Sequence, residues 1–288
     1  MEDRRMTEQR LELFETCMVQ AEKQKSTIEK YMRDVRKLQD FADDQELTKE
    51  LLLQYKETLR KSGKYHMASI NSFLAAANCF CTCMQWNELH VKLFKIQSEV
   101  FLPESQELSV QEYERLIRTA MQRGKERLAL MIQTIGSTGI RIGELHNIMV
   151  ESLADGMTEI YNKGKSRRIL YPSELIVVLR CYADRHNIKH GSLFYKPSFY
   201  PLLRCNVWRD MNRLCKYAGV APEKMYPHNL RHLFARRFYQ INQDIAKLAD
   251  ILGHSSIETT RIYIKSTGRE HKQLLDQMQL VYRDMFER

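Results

Sequence analysis

Residues 157–171, MTEIYNKGKSRRILY, stand apart from the rest of the chain. Two short runs of alternating character flank Asn162-Lys163-Gly164-Lys165, a turn sequence between strand-forming residues. Alternation sends successive side chains to opposite faces, so the segment predicts a β-hairpin. On either side, apolar residues recur at intervals of three and four, the period of helices. The chain therefore reads as mainly α, with a small hairpin set into its second half.

Upstream, the first hundred residues read as helices throughout. Leu11, Phe14, Met18 and Ala21 form one apolar stripe. Ser26 with Glu29 has the S-x-x-E form of a capping box, and Ile28, Tyr31, Met32, Val35, Leu38 and Phe41 supply the face that follows. Thr48 is placed to cap a third helix with Leu51, Leu52, Tyr55 and Leu59 inward. After Lys61-Ser62-Gly63-Lys64, a fourth helix runs from about Met67 to Met84. Cys79, Cys81 and Cys83 within it point in different directions, which suits a buried face better than a metal site. A linker is expected near 98–106, around Pro103, dividing a helical domain (1–102) from a second domain (103–288). Ser109 with Glu112 forms another capping box, opening a helix with Tyr113, Leu116, Ile117 and Ala120. Leu128 to Ile135 reads as the next buried helix, broken by Gly136-Ser137-Thr138-Gly139. From Ser173 on the pattern is helical, with turns at Gly191, Gly219 and Gly253.

With 288 residues the chain can bury two modest cores. It has no apolar run of the roughly 18 residues that span a bilayer. Its first twenty residues, MEDRRMTEQRLELFETCMVQ, lack the apolar core of a secretory signal. Seven cysteines are an odd number for a disulfide framework, so a reducing cytoplasm is expected, and no membrane. The net charge of +9 is unevenly placed. Residues 1–102 hold 16 basic and 16 acidic residues, whereas 103–288 hold 29 and 20. A concentrated positive field of this kind attracts polyanions, of which nucleic acid is the commonest in a cytoplasm.

Four separated segments carry the chemistry. Thr138-Gly139-Ile140-Arg141-Ile142-Gly143-Glu144-Leu145 sets an Arg and a Glu three apart at a helix start. Lys163 and Lys165 lie at the hairpin turn. His228-Asn229-Leu230-Arg231-His232 follows Pro227 and should open a helix. Leu252-Gly253-His254 ends another, with Tyr263 nine residues on, beyond a cap at Ser255 to Glu258. Each has an ordinary explanation on its own, as a surface pair, a solvated lysine or a helix cap. Together they suit phosphoryl transfer without a metal. Two guanidiniums can hold both non-bridging oxygens of a phosphodiester and oppose the charge that grows during its cleavage. A phenol, with a pKa of about 10, needs a neighbouring base to attack. A mobile Lys can protonate the departing oxygen. Metal-dependent nuclease chemistry would need grouped carboxylates, and the sequence has no D-x-D, Asp43-Asp44 being its one adjacent aspartate pair.

In these segments the chain resembles the tyrosine recombinase, or phage integrase, family. T-G-x-R-x-x-E-L, a hairpin Lys, H-x-L-R-H, L-G-H and a Tyr nine residues later all stand here in the family's order, over about 105–288. More weakly, Ser26-Thr27-Ile28-Glu29-Lys30-Tyr31 is similar to the family's helical, SAM-like core-DNA-binding domain. The resemblance implies a helical N-terminal domain and a mixed α/β catalytic domain that clamp double-stranded DNA. Arg141 and Arg231 would grip the scissile phosphate, and Tyr263 would attack it to give a 3′-phosphotyrosyl link. His228 would accept the tyrosine's proton, and His254 would hydrogen-bond the phosphate. Lys163 is the favoured general acid and Lys165 the second choice. Glu144 and His232 would support the site.

The resemblance implies no cofactor and no metal. Its partners would be core recombination sites, a tetramer of this chain on DNA, and accessory DNA-bending or directionality proteins. A bacterium or its mobile elements is the expected setting, with integration or excision as the role. The apolar stretch Leu274, Leu275, Met278, Leu280 and Val281 would dock on a neighbouring protomer or fold onto its own core. Two rivals remain open at this stage. One is a type IB-like DNA-relaxing topoisomerase, and the other a catalytically silent DNA-binding protein on the same scaffold.

Overall fold

The computed structural model describes residues 3–96, 107–162, 165–194, 204–254, 256–263, 272 and 275–278. The chain divides into two compact units, 1–98 and 99–288. The linker expected near 98–106 lies outside the described residues.

The first unit is built from α1 (Glu8–Gln20), α2 (Lys25–Ala42), α3 (Lys49–Lys61) and α4 (Met67–Cys83). Its core joins Leu11, Phe14 and Met18 to Val35, Leu38, Leu52, Leu74 and Phe80. Phe14 and Phe80 meet edge-to-face with centroids 5.5 Å apart, the arrangement that aligns ring edge with ring face. Cys81 is buried in this core, with Cys79 and Cys83 packed at its margin. Thr48 caps α3 by accepting from the Leu51 amide at 3.1 Å.

Two expectations fail here. Ser26 and Glu29 form no cap, because the Gln24 carbonyl already accepts from the Thr27 and Ile28 amides. The first turn is thus wound before Ser26 is reached. Ala21 leaves the apolar stripe and is exposed, since α1 ends at Gln20 and Glu22 turns to φ 52°.

The second unit contains α5 (Val110–Gln122), α6 (Glu126–Thr138), α7 (Ser152–Asp155), β1 (Met157–Asn162) and β2 (Lys165–Leu170). They are followed by α8 (Ser173–Arg185), α9 (Arg204–Ala218), α10 (Pro227–Asn242), α11 (Ile245–Leu252) and α12 (Ile257–Arg261). Both halves of the Ser109–Glu112 capping box form, with the Glu112 amide 3.1 Å from Ser109 Oγ and the Ser109 amide 2.9 Å from Glu112 Oε2. α6 runs through the middle of the core, and its Leu130, Ile132 and Ile135 lie in one apolar cluster with Leu179, Met211 and Leu230.

Gly136 does not break α6, as the sequence had suggested. The helix continues to Thr138 and ends at Gly139, whose φ is 64°. Gly136 instead lets α5 approach, because a Cβ there would sit 2.6 Å from the Tyr113 ring.

The hairpin forms as expected, antiparallel from Met157 opposite Leu170 to Asn162 opposite Lys165. Thr158 opposes Ile169 and Ile160 opposes Arg167, so these four share one face of the ribbon. Ile160 and Ile169 are both buried, which makes that face the inward one. Among the described residues no helix is long and apolar enough to cross a membrane. Of the C-terminal apolar stretch, Leu275 and Met278 are exposed, while Leu274, Leu280 and Val281 lie outside the described residues.

Candidate active site

The turn that leaves α6 supplies the first two side chains. Gly139 lets the chain reverse, and Arg141 then heads a short 3₁₀ turn, Ile142–Asn147. Glu144 folds back within this turn. Its Oε2 accepts from the Arg141 amide at 3.0 Å, and its Oε1 from Arg141 Nη1 at 3.2 Å. Glu144 is nearly enclosed, with 6% of its side chain exposed against 33% for Arg141.

The other cation on this carboxylate comes from the hairpin. Arg167, on the inward face of β2, donates through Nη2 to Glu144 Oε2 in a short ion pair. Its Nη1 reaches the carbonyls that end α11, Leu252 at 2.6 Å and Ile251 at 3.4 Å. Burial alone would raise the Glu144 pKa, but Arg167 and then the Arg141 amide and guanidinium hold the carboxyl below its ordinary value. The site thus keeps a buried carboxylate charged.

α10 supplies the central guanidinium. Arg231 is 1% exposed, the largest fully buried side chain among the described residues. Nη1 donates to the Gly139 carbonyl, and Nη2 to the Leu252 carbonyl at 2.6 Å and to His254 Nε2 at 2.9 Å. Burial, with Arg141 and Arg167 adding to it, lowers the Arg231 pKa to about 10. That value still leaves it charged at neutral pH.

The Leu252-Gly253-His254 turn closes the site from the other side. Gly253 ends α11 with φ 64°, and a Cβ at this position would collide with Arg167 Cδ. His254 Nδ1 pairs with Oγ1 of the buried Thr260 at 2.9 Å. Burial first, then the three arginines, pulls the His254 pKa down to about 4. The cap of α12 is Ser256, which accepts from the Glu258 amide at 3.2 Å. Ser255, the expected cap, lies outside the described residues.

Tyr263 follows α12 and is half-buried among these groups. Its ring stacks on His232 at 4.4 Å and 29°, lies 5.1 Å from the His254 ring, and sits under Arg231 at 5.6 Å. Burial lowers the His232 pKa to about 4, against a backbone contact with Tyr263 that raises it. His232 Nδ1 is buried without a hydrogen-bond partner. His228 is exposed in the first turn of the same helix.

The structure therefore brings Arg141, Glu144, Arg231, His232, His254 and Tyr263 into one cluster. Lys163 lies outside the described residues, as does the side chain of Lys165, whose backbone opens β2. Sequence reasoning missed Arg167 and Thr260. Alternation signals that Arg167 faces inward, two residues from the buried Ile169, but not what it meets there.

Comparison with known proteins bears on this cluster. The family model described as "Phage integrase family" matches residues 106–270, which contain all of it. The tyrosine recombinase XerA of Pyrococcus furiosus is 27% identical over 288 residues, covering 98% of each chain. Among solved structures, the XerH site-specific recombinase in a post-cleavage complex with difH substrate superposes with a TM-score of 0.71 at 21% identity, over 87% of this chain and 79% of that one. A lambda integrase tetramer bound to a Holliday junction gives a TM-score of 0.71 at 19% identity, over 91% of this chain and 78% of that one.

Proposed function

The chain belongs to the phage integrase family, and from that premise we propose that it cuts and rejoins duplex DNA at specific sites through a covalent 3′-phosphotyrosine at Tyr263. Membership makes it a DNA strand-cleaving and rejoining enzyme of the site-specific recombinase kind. The observation that carries the finer reading is the placing of the Tyr263 ring against Arg231, His232 and His254.

In this reading Arg141 and Arg231 hold the two non-bridging oxygens of the scissile phosphate. Arg141 is the half-exposed member and meets the DNA first. Arg231, fixed by backbone carbonyls, is already oriented when substrate arrives, so little reorganisation is needed as charge builds. The Tyr263 Oη–P bond forms while the P–O5′ bond breaks. His228 takes the phenolic proton, and Lys163, with Lys165 as the alternative, gives one to the 5′-oxygen. His254 adds a hydrogen bond to the phosphate. To do so it releases Arg231 and shifts its ring proton to Nε2, which then donates to a phosphate oxygen while the Thr260 hydroxyl donates to Nδ1.

Religation is the reverse attack, by a 5′-hydroxyl on the phosphotyrosine. When that hydroxyl comes from a partner strand, the product is recombinant. The lambda integrase relative assembles as a tetramer on a Holliday junction. The same assembly is proposed here, with the first unit reading core sites and a mobile element as the setting.

The test uses a duplex that the protein itself selects from a randomised pool, nicked so that the cleaved fragment diffuses away. A denaturing gel should show a covalent protein–DNA band that is absent with Tyr263→Phe. Binding to the selected duplex without any band would overturn the reading.

A further inference from the structure

Arg167 has no part in the steps above, yet it is among the most enclosed cations of the site. Its side chain is 11% exposed, and its described partners are the Glu144 carboxylate and the carbonyls of Ile251 and Leu252. Glu144 therefore lies between two guanidiniums. A carboxylate held by Arg141 alone would spend on itself the charge that the phosphate requires. Here the shorter pairing goes to Arg167, while Arg141 reaches Oε1 at 3.2 Å and keeps the more open side chain. Arg167 also spans 85 residues of sequence to fasten β2 onto the last turn of α11.

We propose that Arg167 is a positioning residue for strand cleavage: it occupies Glu144, so that Arg141 is left available to the scissile phosphate, and it locks the hairpin to the Leu252-Gly253-His254 turn. The inference rests on the strand-cleavage reading of this site. It adds a residue that neither attacks, protonates nor touches the DNA.

The experiment follows covalent adduct formation on the self-selected nicked duplex, with duplex affinity and thermal melting measured for each variant. Arg167→Ala should slow adduct formation roughly 10- to 100-fold, a loss of the size seen when the partner that orients a metal ligand is removed, with duplex affinity falling no further than in Arg141→Ala. Adding Glu144→Gln to Arg167→Ala should restore about tenfold of that loss, because the neutral amide no longer captures Arg141. If Arg167 served only to hold the fold together, the double variant would be as slow as the single one or slower, and the proposal would fall. Should Arg167→Ala not give a cooperative melt, Arg167→Lys decides, since it keeps a cation on Glu144. Adduct formation within about tenfold of the wild type supports the proposal, and a loss equal to that of Arg141→Ala overturns it. The two readings separate cleanly. A wild-type protein that binds but forms no adduct sinks the function, whereas a wild-type adduct undiminished in Arg167→Ala sinks only the role of Arg167.

Discussion

Arg231 donates through Nη2 to Nε2 of His254 across 2.9 Å, which fixes that imidazole as an acceptor towards the arginines. A guanidinium has no lone pair to offer, so the ring proton must be on Nδ1, directed at Thr260 Oγ1. With its pKa brought to about 4 by burial and by three nearby cations, the ring is neutral at physiological pH. Nitrogen-15 NMR of the imidazole should report the Nδ1-protonated neutral form at pH 7, charging only as pH nears 4. An imidazolium signal at pH 6 would contradict this geometry.

His232 makes stability depend on pH. Its pKa is about 4 in the folded protein against 6.5 ordinarily, chiefly through burial beside Tyr263. As pH falls, the unfolded chain takes up this proton first. The contribution of His232 to stability is therefore complete above pH 6.5, declines between 6.5 and 4, and levels off below that. At about 1.4 kcal/mol per pH unit, the loss is on the order of 3 kcal/mol. His232→Phe has nothing to protonate at this position, and its melting temperature should decline less steeply over the same window. Parallel declines would show that His232 is not held neutral.

Glu144→Gln should destabilise the second unit. Removing the charge leaves Arg141 and Arg167 facing one another across an enclosed amide. Breaking a buried ion pair from one side costs about 3 kcal/mol, which urea unfolding would resolve as a lower midpoint at unchanged slope. A midpoint equal to that of the wild type would mean that the two arginines are neutralised elsewhere.

Gly253→Ala combines two penalties that can be separated. The φ of 64° strains any side chain, and the added Cβ also meets Arg167 Cδ. The strain persists in an Arg167→Ala background, but the collision does not. The substitution should therefore cost about 1 kcal/mol less in that background. Equal costs in both would place the collision elsewhere.

Duplex binding should weaken steeply as salt rises, since phosphate contacts release condensed cations. Arg141→Ala should reduce the slope of log affinity against log salt by about one. The half-exposed guanidinium counts as one phosphate contact. A slope unchanged in Arg141→Ala would remove Arg141 from the DNA surface.

Local period sufficed to read the hairpin and the two-unit helical plan, and the motif resemblance singled out Arg141, Arg231, His254 and Tyr263, candidates that the fold gathers together. Arg167 escaped notice for a different reason. Alternation assigns it to the inward face, but what waits there is the end of α11, some 85 residues away in sequence. Gly136 misled for the same kind of reason. In isolation a Gly-Ser-Thr-Gly string signals a break, and only the Tyr113 ring lying over α6 explains the first glycine. Ser26 was misread at a shorter range, since a backbone carbonyl two residues earlier had already begun the helix.

Leu252 presents one carbonyl oxygen to both Arg167 and Arg231, at 2.6 Å each. That oxygen belongs to the peptide group, so all twenty amino acids would supply it equally. A saturation scan of position 252 would record only a demand for an apolar side chain in the small cluster with Ala235 and Leu248, and the junction of two cations would pass unseen. Only a change to the main chain reaches it. Replacing the 252–253 amide with an ester, by semisynthesis, would weaken that acceptor while leaving every side chain in place.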